Sequence, residues 1–186
     1  MHLIVGLGNI GREYEKTRHN FGFLLLDQII EDYGFSAQSK NFKSEIFTGE
    51  IDGNKVVSIK PQTFMNRSGI AVSQIASFYK IETKNIIVLH DDLDLELGRV
   101  KVKVGGGNGG HNGLKSIDEM VGKNYLRVRL GIGRPQNAEF ATSDFVLGKF
   151  SLEEMQKVGK VNERISDLAG ELLEGRLDGF MNKFYL

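Results

Sequence analysis

The sequence predicts an α/β fold: a single domain with a central mixed, partly parallel β-sheet flanked by helices. Three observations predict it. Short apolar runs alternate with stretches of helical spacing along the whole chain, the pattern of strands joined by helical crossovers. Asp52-Gly53-Asn54 lies between two alternating stretches and marks an antiparallel excursion within that order. At 186 residues, 40% of them hydrophobic, the chain can bury one self-sufficient core, and no repeat or linker divides residues 1–186.

The elements follow in order. Residues 2–7 form an apolar first strand, and 20–33 a helix expected to bury Phe23, Leu26, Ile29 and Ile30. Residues 42–50 and 55–60 alternate as strands around the Asp-Gly turn, and Pro61 closes the second because it has no amide to donate. Residues 68–79 have helical spacing, with Ile70, Ile75, Phe78 and Tyr79 as the expected apolar face. An apolar strand over 85–89 runs into His90-Asp91-Asp92-Leu93-Asp94, and 99–104 alternates basic residues with Val as a half-exposed strand. A helix is expected from His111 or Asn112, a strand over 126–132, a helix over 152–173 and a short helical segment through Phe184.

Composition removes several function classes. There is no Cys, so disulfide frameworks, thiolate nucleophiles and cysteine-ligated metals are excluded. No apolar run approaches the roughly 20 residues of a membrane span, and no signal-peptide pattern opens the chain, so a cytoplasmic protein is expected. Lys and Arg total 24 against 24 Asp and Glu, yet eight basic residues fall between Arg99 and Arg134 against only Asp118 and Glu119. Such a run attracts phosphate if the fold gathers it on one face; otherwise it is ordinary solvated charge.

The chemistry-bearing positions are dispersed. Gly6-Leu7-Gly8-Asn9-Ile10-Gly11 has dinucleotide-loop spacing, but eight residues separate it from the next helix, and Asp27 falls inside that helix. A nicotinamide-dependent oxidoreductase is therefore disfavoured. Asn9 offers an amide that binds a carbonyl and an N–H together, or caps a turn. His19 stands in Thr17-Arg18-His19-Asn20, Asn66 in Phe64-Met65-Asn66-Arg67-Ser68-Gly69, and Asp91 at a strand end. A neutral imidazole takes a proton from water while a carboxylate fixes its tautomer, and an Asn amide stabilises a developing oxyanion. His19 also fits a structural role ahead of a helix. Gly109-Gly110-His111-Asn112-Gly113-Leu114-Lys115 allows close ligand approach at a helix start, with Asn112 for orientation. His111 either recognises substrate or organises that loop.

Taken in order, these motifs resemble the bacterial-type peptidyl-tRNA hydrolase family over essentially the full chain. The resemblance rests on Gly6–Gly11, Tyr14 with Thr17-Arg18-His19-Asn20, Pro61–Gly69, His90–Asp94 and Gly109–Ile117. It implies a monomeric hydrolase of translation and ribosome rescue that cleaves the ester between a peptide and the 3'-terminal ribose of tRNA, without a metal or other cofactor. By the same resemblance His19 activates water, Asp91 orients it, and Asn66 positions the substrate carbonyl. Asn9 and Asn112 grip the peptide, Tyr14 and Met65 shape the cleft, and His111 is auxiliary. Lys103 and Arg129 meet phosphates of the tRNA, whose acceptor end carries the ester; no membrane partner is implied. One departure stands out, because Ile10 replaces the proline usual in the first loop. The alternative is a catalytically inactive RNA-binding relative.

Overall fold

The computed structural model describes Met1–Leu186. Its seven strands form one sheet in the order β2-β3-β4-β1-β5-β7-β6. The strands are β1 (His2–Gly6), β2 (Ser36–Ala37), β3 (Ser44–Ile51), β4 (Asn54–Pro61), β5 (Ile86–Asp92), β6 (Val100–Val104) and β7 (Leu126–Gly131). The pairs β4/β1, β1/β5 and β5/β7 are parallel, whereas β2/β3, β3/β4 and β6/β7 are antiparallel. The β3/β4 hairpin turns at Asp52-Gly53, as the sequence requires.

Helices cover both faces. On one side α1 (Phe21–Asp32) and α5 (Leu152–Asp167) pack over Ile4, Leu89, Val128 and Leu130. On the other, α2 (Ser68–Tyr79) and α3 (Asn112–Val121) pack over Leu3, Val5, Val57 and Val88. Strands buried on both faces explain the near-continuous apolar runs of β1 and β5. The short α4 (Thr142–Val146), α6 (Ala169–Leu173) and α7 (Leu177–Phe184) complete the chain.

Several sequence expectations shift here. In α1 the buried residues are Phe21, Leu25, Leu26 and Ile29, while Phe23 and Ile30 are half-buried. The α2 face is built from Ala71, Val72, Ile75 and Ala76, leaving Phe78 62% exposed. The β5 ladder runs to Asp92, so Asp91 lies within the strand and not beyond it. The expected helix over 152–173 is interrupted at Leu168, and α4 has no counterpart in the sequence reading.

Side-chain alternation makes the basic face. Residues paired across a ladder share a face, and the pairs His90↔Arg129, Lys101↔Arg129 and Lys103↔Arg127 therefore stand on the α3 side of the sheet. The intervening Val100, Val128 and Leu130 point into the opposite core.

Candidate active site

The site gathers at the C-terminal ends of β1, β4 and β5, where loops leave a parallel region of the sheet. After β1, the Asn9 N–H donates to Asn20 Oδ1 at 2.8 Å, and Asn20 Nδ2 donates to the Asn9 carbonyl at 2.9 Å. The Met65 N–H, from the turn before α2, donates to Asn9 Oδ1 at 3.3 Å. Three hydrogen bonds thus fix this loop although Ile10 cannot restrict its backbone as a proline would, and Ile10 is 41% exposed. Asn20, given no role from sequence, is the residue that organises Asn9.

His19 lies on a single helical turn (Arg18–Asn20) leading into α1, and its Nδ1 is 2.9 Å from Asp91 Oδ2. A carboxylate only accepts, so Nδ1 carries the proton and Nε2 keeps a lone pair. His111 Nε2 is 2.8 Å from the other oxygen of the same carboxylate. Asp91 is buried, and burial alone would raise its pKa; the two histidines outweigh it and hold the carboxyl far below its usual range. Burial alone would likewise lower His19, but the Asp91 charge and hydrogen bond win and its pKa is raised.

His90 is also buried here, donating from Nδ1 to the Asp91 carbonyl at 2.8 Å. Burial, reinforced by His111, pushes its pKa down to about 4, so it stays neutral near neutral pH. The ligand-type atoms of His19, Asp91 and His111 lie within 4.8 Å of one another, the arrangement that could hold a metal ion. In the geometry observed, both imidazole nitrogens facing Asp91 are committed to it by hydrogen bonds.

A cleft of about 630 Å³ opens from this cluster along the basic face. His19, Asp91, His111 and Asn112 line it, as do Lys103 and Arg129 further out. Tyr14 is half-buried outside the lining, and Asn66 is exposed on the turn next to Met65. Met65 packs against the start of α3: a Cβ at Gly113 would lie 2.7 Å from its Sδ, 2.9 Å from Leu7 and 3.1 Å from His111. Only a residue without a side chain lets α3 approach so closely.

Of the eight basic residues counted in sequence, Lys103, Arg127, Arg129 and Arg134 reach the cleft, whereas Arg99 stacks on Tyr185 at the far end of the chain. Arg127 is 2% exposed, and its ion pair with Asp118 at 3.0 Å makes it an internal strut. Arg129 Nε donates to Asp92 at 2.8 Å and Arg134 pairs with Asp94 at 2.6 Å, so carboxylates temper the basic wall. Sequence counting alone did not separate struts from surface charges.

The profile of the peptidyl-tRNA hydrolase family matches residues 3–185. This chain belongs to the peptidyl-tRNA hydrolase family. It is 48% identical to the peptidyl-tRNA hydrolase of Rickettsia conorii over 184 residues, covering 98% of this chain and 99% of that one. The peptidyl-tRNA hydrolase of Wolbachia sp. subsp. Drosophila simulans is 49% identical over 182 residues, covering 98% of each. The crystal structure of peptidyl-tRNA hydrolase from Acinetobacter baumannii superposes with a TM-score of 0.92 at 38% identity, covering 99% of this chain and 94% of that one. The mixed sheet and its helices are therefore the peptidyl-tRNA hydrolase fold. No helix of the chain is long and apolar enough to cross a membrane.

Proposed function

We infer that this chain hydrolyses the ester between a peptide and the 3'-terminal ribose of tRNA, releasing peptide and free tRNA. The observation that carries the reading is the His19–Asp91 hydrogen bond at the head of a basic cleft, which leaves His19 Nε2 with a lone pair. Water beside Nε2 gives up a proton as its oxygen attacks the ester carbonyl, and Asp91 stabilises the imidazolium formed. Collapse of the tetrahedral intermediate expels the ribose oxygen, which takes the proton from the His19 imidazolium. No covalent enzyme intermediate is needed.

Asn66, exposed on the turn beside Met65, positions the carbonyl and shares the developing oxyanion charge. Asn9 and Asn112 hold the peptide, Tyr14 and Met65 shape the surroundings of that grip from outside the cleft lining, and His111 is in support. Lys103 and Arg129 meet phosphates near the acceptor end, giving affinity that depends on salt and little on base identity. The protein acts as a monomer in the cytoplasm and needs no metal or other cofactor.

Peptide release from peptidyl-tRNA, measured with chelator present, tests the reading. His19→Ala is expected to cut release by about 10²-fold or more while tRNA binding and the thermal midpoint stay near wild type. Near-normal release by the variant would remove His19 from the chemistry, and wild-type protein that binds without releasing peptide would overturn the activity itself.

A further inference from the structure

The start of α3 fixes which nitrogen of His111 carries its proton. Nδ1 lies 3.1 Å from Gly113 N and 3.4 Å from Leu114 N, accepting from both as the cap of the helix. Backbone amides only donate, so Nδ1 must present its lone pair. In the neutral ring the proton is then on Nε2, which faces Asp91 Oδ1 at 2.8 Å. Placing a proton on Nδ1 would set one N–H against two others and uncap α3. We propose that His111 is a positioning residue, locked by this cap as an Nε2–H donor that holds one oxygen of Asp91 and aims the other at His19. It takes no proton during the reaction. The proposal rests on the reading of His19 as the base.

The lock also divides the charge of Asp91. A carboxylate shared between two donors stabilises a proton on His19 less than one serving a single donor. His111 therefore holds His19 as a weaker base, one that releases its proton to the leaving oxygen more readily. Other groups face the cluster: burial keeps His90 neutral near neutral pH, Asp92 is paired with Arg129, and Arg127 is paired with Asp118. Lys103 stands further along the cleft. The lone pair that a metal ion would need from His111 Nε2 is likewise absent while the cap holds.

His111→Asn separates the two duties, because an Asn oxygen still caps the helix whereas its shorter side chain falls short of Asp91. Its thermal midpoint is expected near wild type, and the acid limb of its kcat/KM profile is expected to move up by roughly half a pH unit, with the alkaline side unchanged. Nitrogen-15 NMR of the wild-type imidazoles is expected to show neutral His111 as the Nε2–H tautomer. An Nδ1–H tautomer, an unmoved acid limb, or loss of an alkaline limb in the variant would each overturn the lock. If His111→Asn does not fold, the wild-type tautomer decides alone. Full hydrolysis by His19→Ala would sink the reading of the base but leave the tautomer result standing, so the two failures are distinguishable.

Discussion

Arg129 on β7 stands opposite His90 on β5, and its Nε reaches the Asp92 carboxylate two pairs further along the same ladder. His90 beside the cluster and Arg129, the proposed phosphate contact, are thereby held on one face of two paired strands. Rigid strands, not loops, set the span from Asp91, the partner of the proposed base, to the proposed phosphate contacts.

Charge changes along this face should act in opposite directions. Lys103 is exposed and forms no ion pair, so Lys103→Ala is expected to weaken tRNA binding across sequences and to reduce the salt slope by about one. Asp92→Asn removes the carboxylate that tempers Arg129 and is expected to tighten binding at low salt. Titrations at several salt concentrations check both. Weaker binding by Asp92→Asn would mean that its main service is to orient the guanidinium.

Asp91→Asn should reverse the shift on His19. In the wild type the Asp91 charge overcomes burial and raises the His19 pKa, so the acid limb of kcat/KM lies above the ordinary histidine value. With the charge gone, burial prevails and the limb moves down, while kcat falls by on the order of 10²-fold or more. Stability follows the carboxyl in the other sense. A folded-state pKa below the unfolded one contributes stability above about pH 4 that is lost as pH falls. Acid unfolding of the wild type is therefore expected to be steeper below that pH than unfolding of Asp91→Asn.

Local signals made much of this legible in the sequence. The hairpin at Asp52-Gly53 and the span of α2 follow from turn chemistry and 3.6-residue spacing, which need no distant partner. The face of α2 does not. Its approach to α3 is so close that Ala71, Val72 and Ala76 are buried and Phe78 is left outside, a choice set by the neighbouring helix. The interruption at Leu168 has no proline to announce it; near it the Ser166 carbonyl accepts a hydrogen bond from Tyr33 Oη at 2.9 Å. In the same way His19 and Asp91 were visible as residue types, but the commitment of Asn9 to Asn20 and the burial of Arg127 depend on which strands lie side by side.

Gly69→Ala tests that close helix approach. An added Cβ would lie 2.1 Å from the Ser116 carbonyl oxygen, and the Gly69 N–H already donates to Ser116 Oγ at 2.9 Å. The obstacle is backbone, so α2 and α3 must separate. The expected cost is about 1–3 kcal/mol, lowering Tm by roughly 2–4 °C for each kcal/mol. Because α3 carries His111 at its start, kcat should fall as well, and a variant with wild-type Tm would show that the helices can part freely.

Arg127→Ala should unfold the protein more readily than any change on the exposed basic wall. Its guanidinium donates to Asp118 Oδ1 at 3.0 Å and to the Gly107 carbonyl at 2.6 Å, and lies 4.8 Å from the Tyr125 ring centroid. Tyr125 Oη donates to the same Asp118 oxygen at 2.6 Å, so this carboxylate ties β7 to α3 while the arginine adds the glycine-rich loop. Removing the arginine leaves that charge unpaired, at an expected cost of about 3–5 kcal/mol. The double change Arg127→Met with Asp118→Leu removes both charges and should recover most of the loss. Denaturant melts of the two variants separate the explanations: if the double variant is as unstable as Arg127→Ala, what matters is the arginine's hold on the Gly107 carbonyl, and the ion pair itself is dispensable.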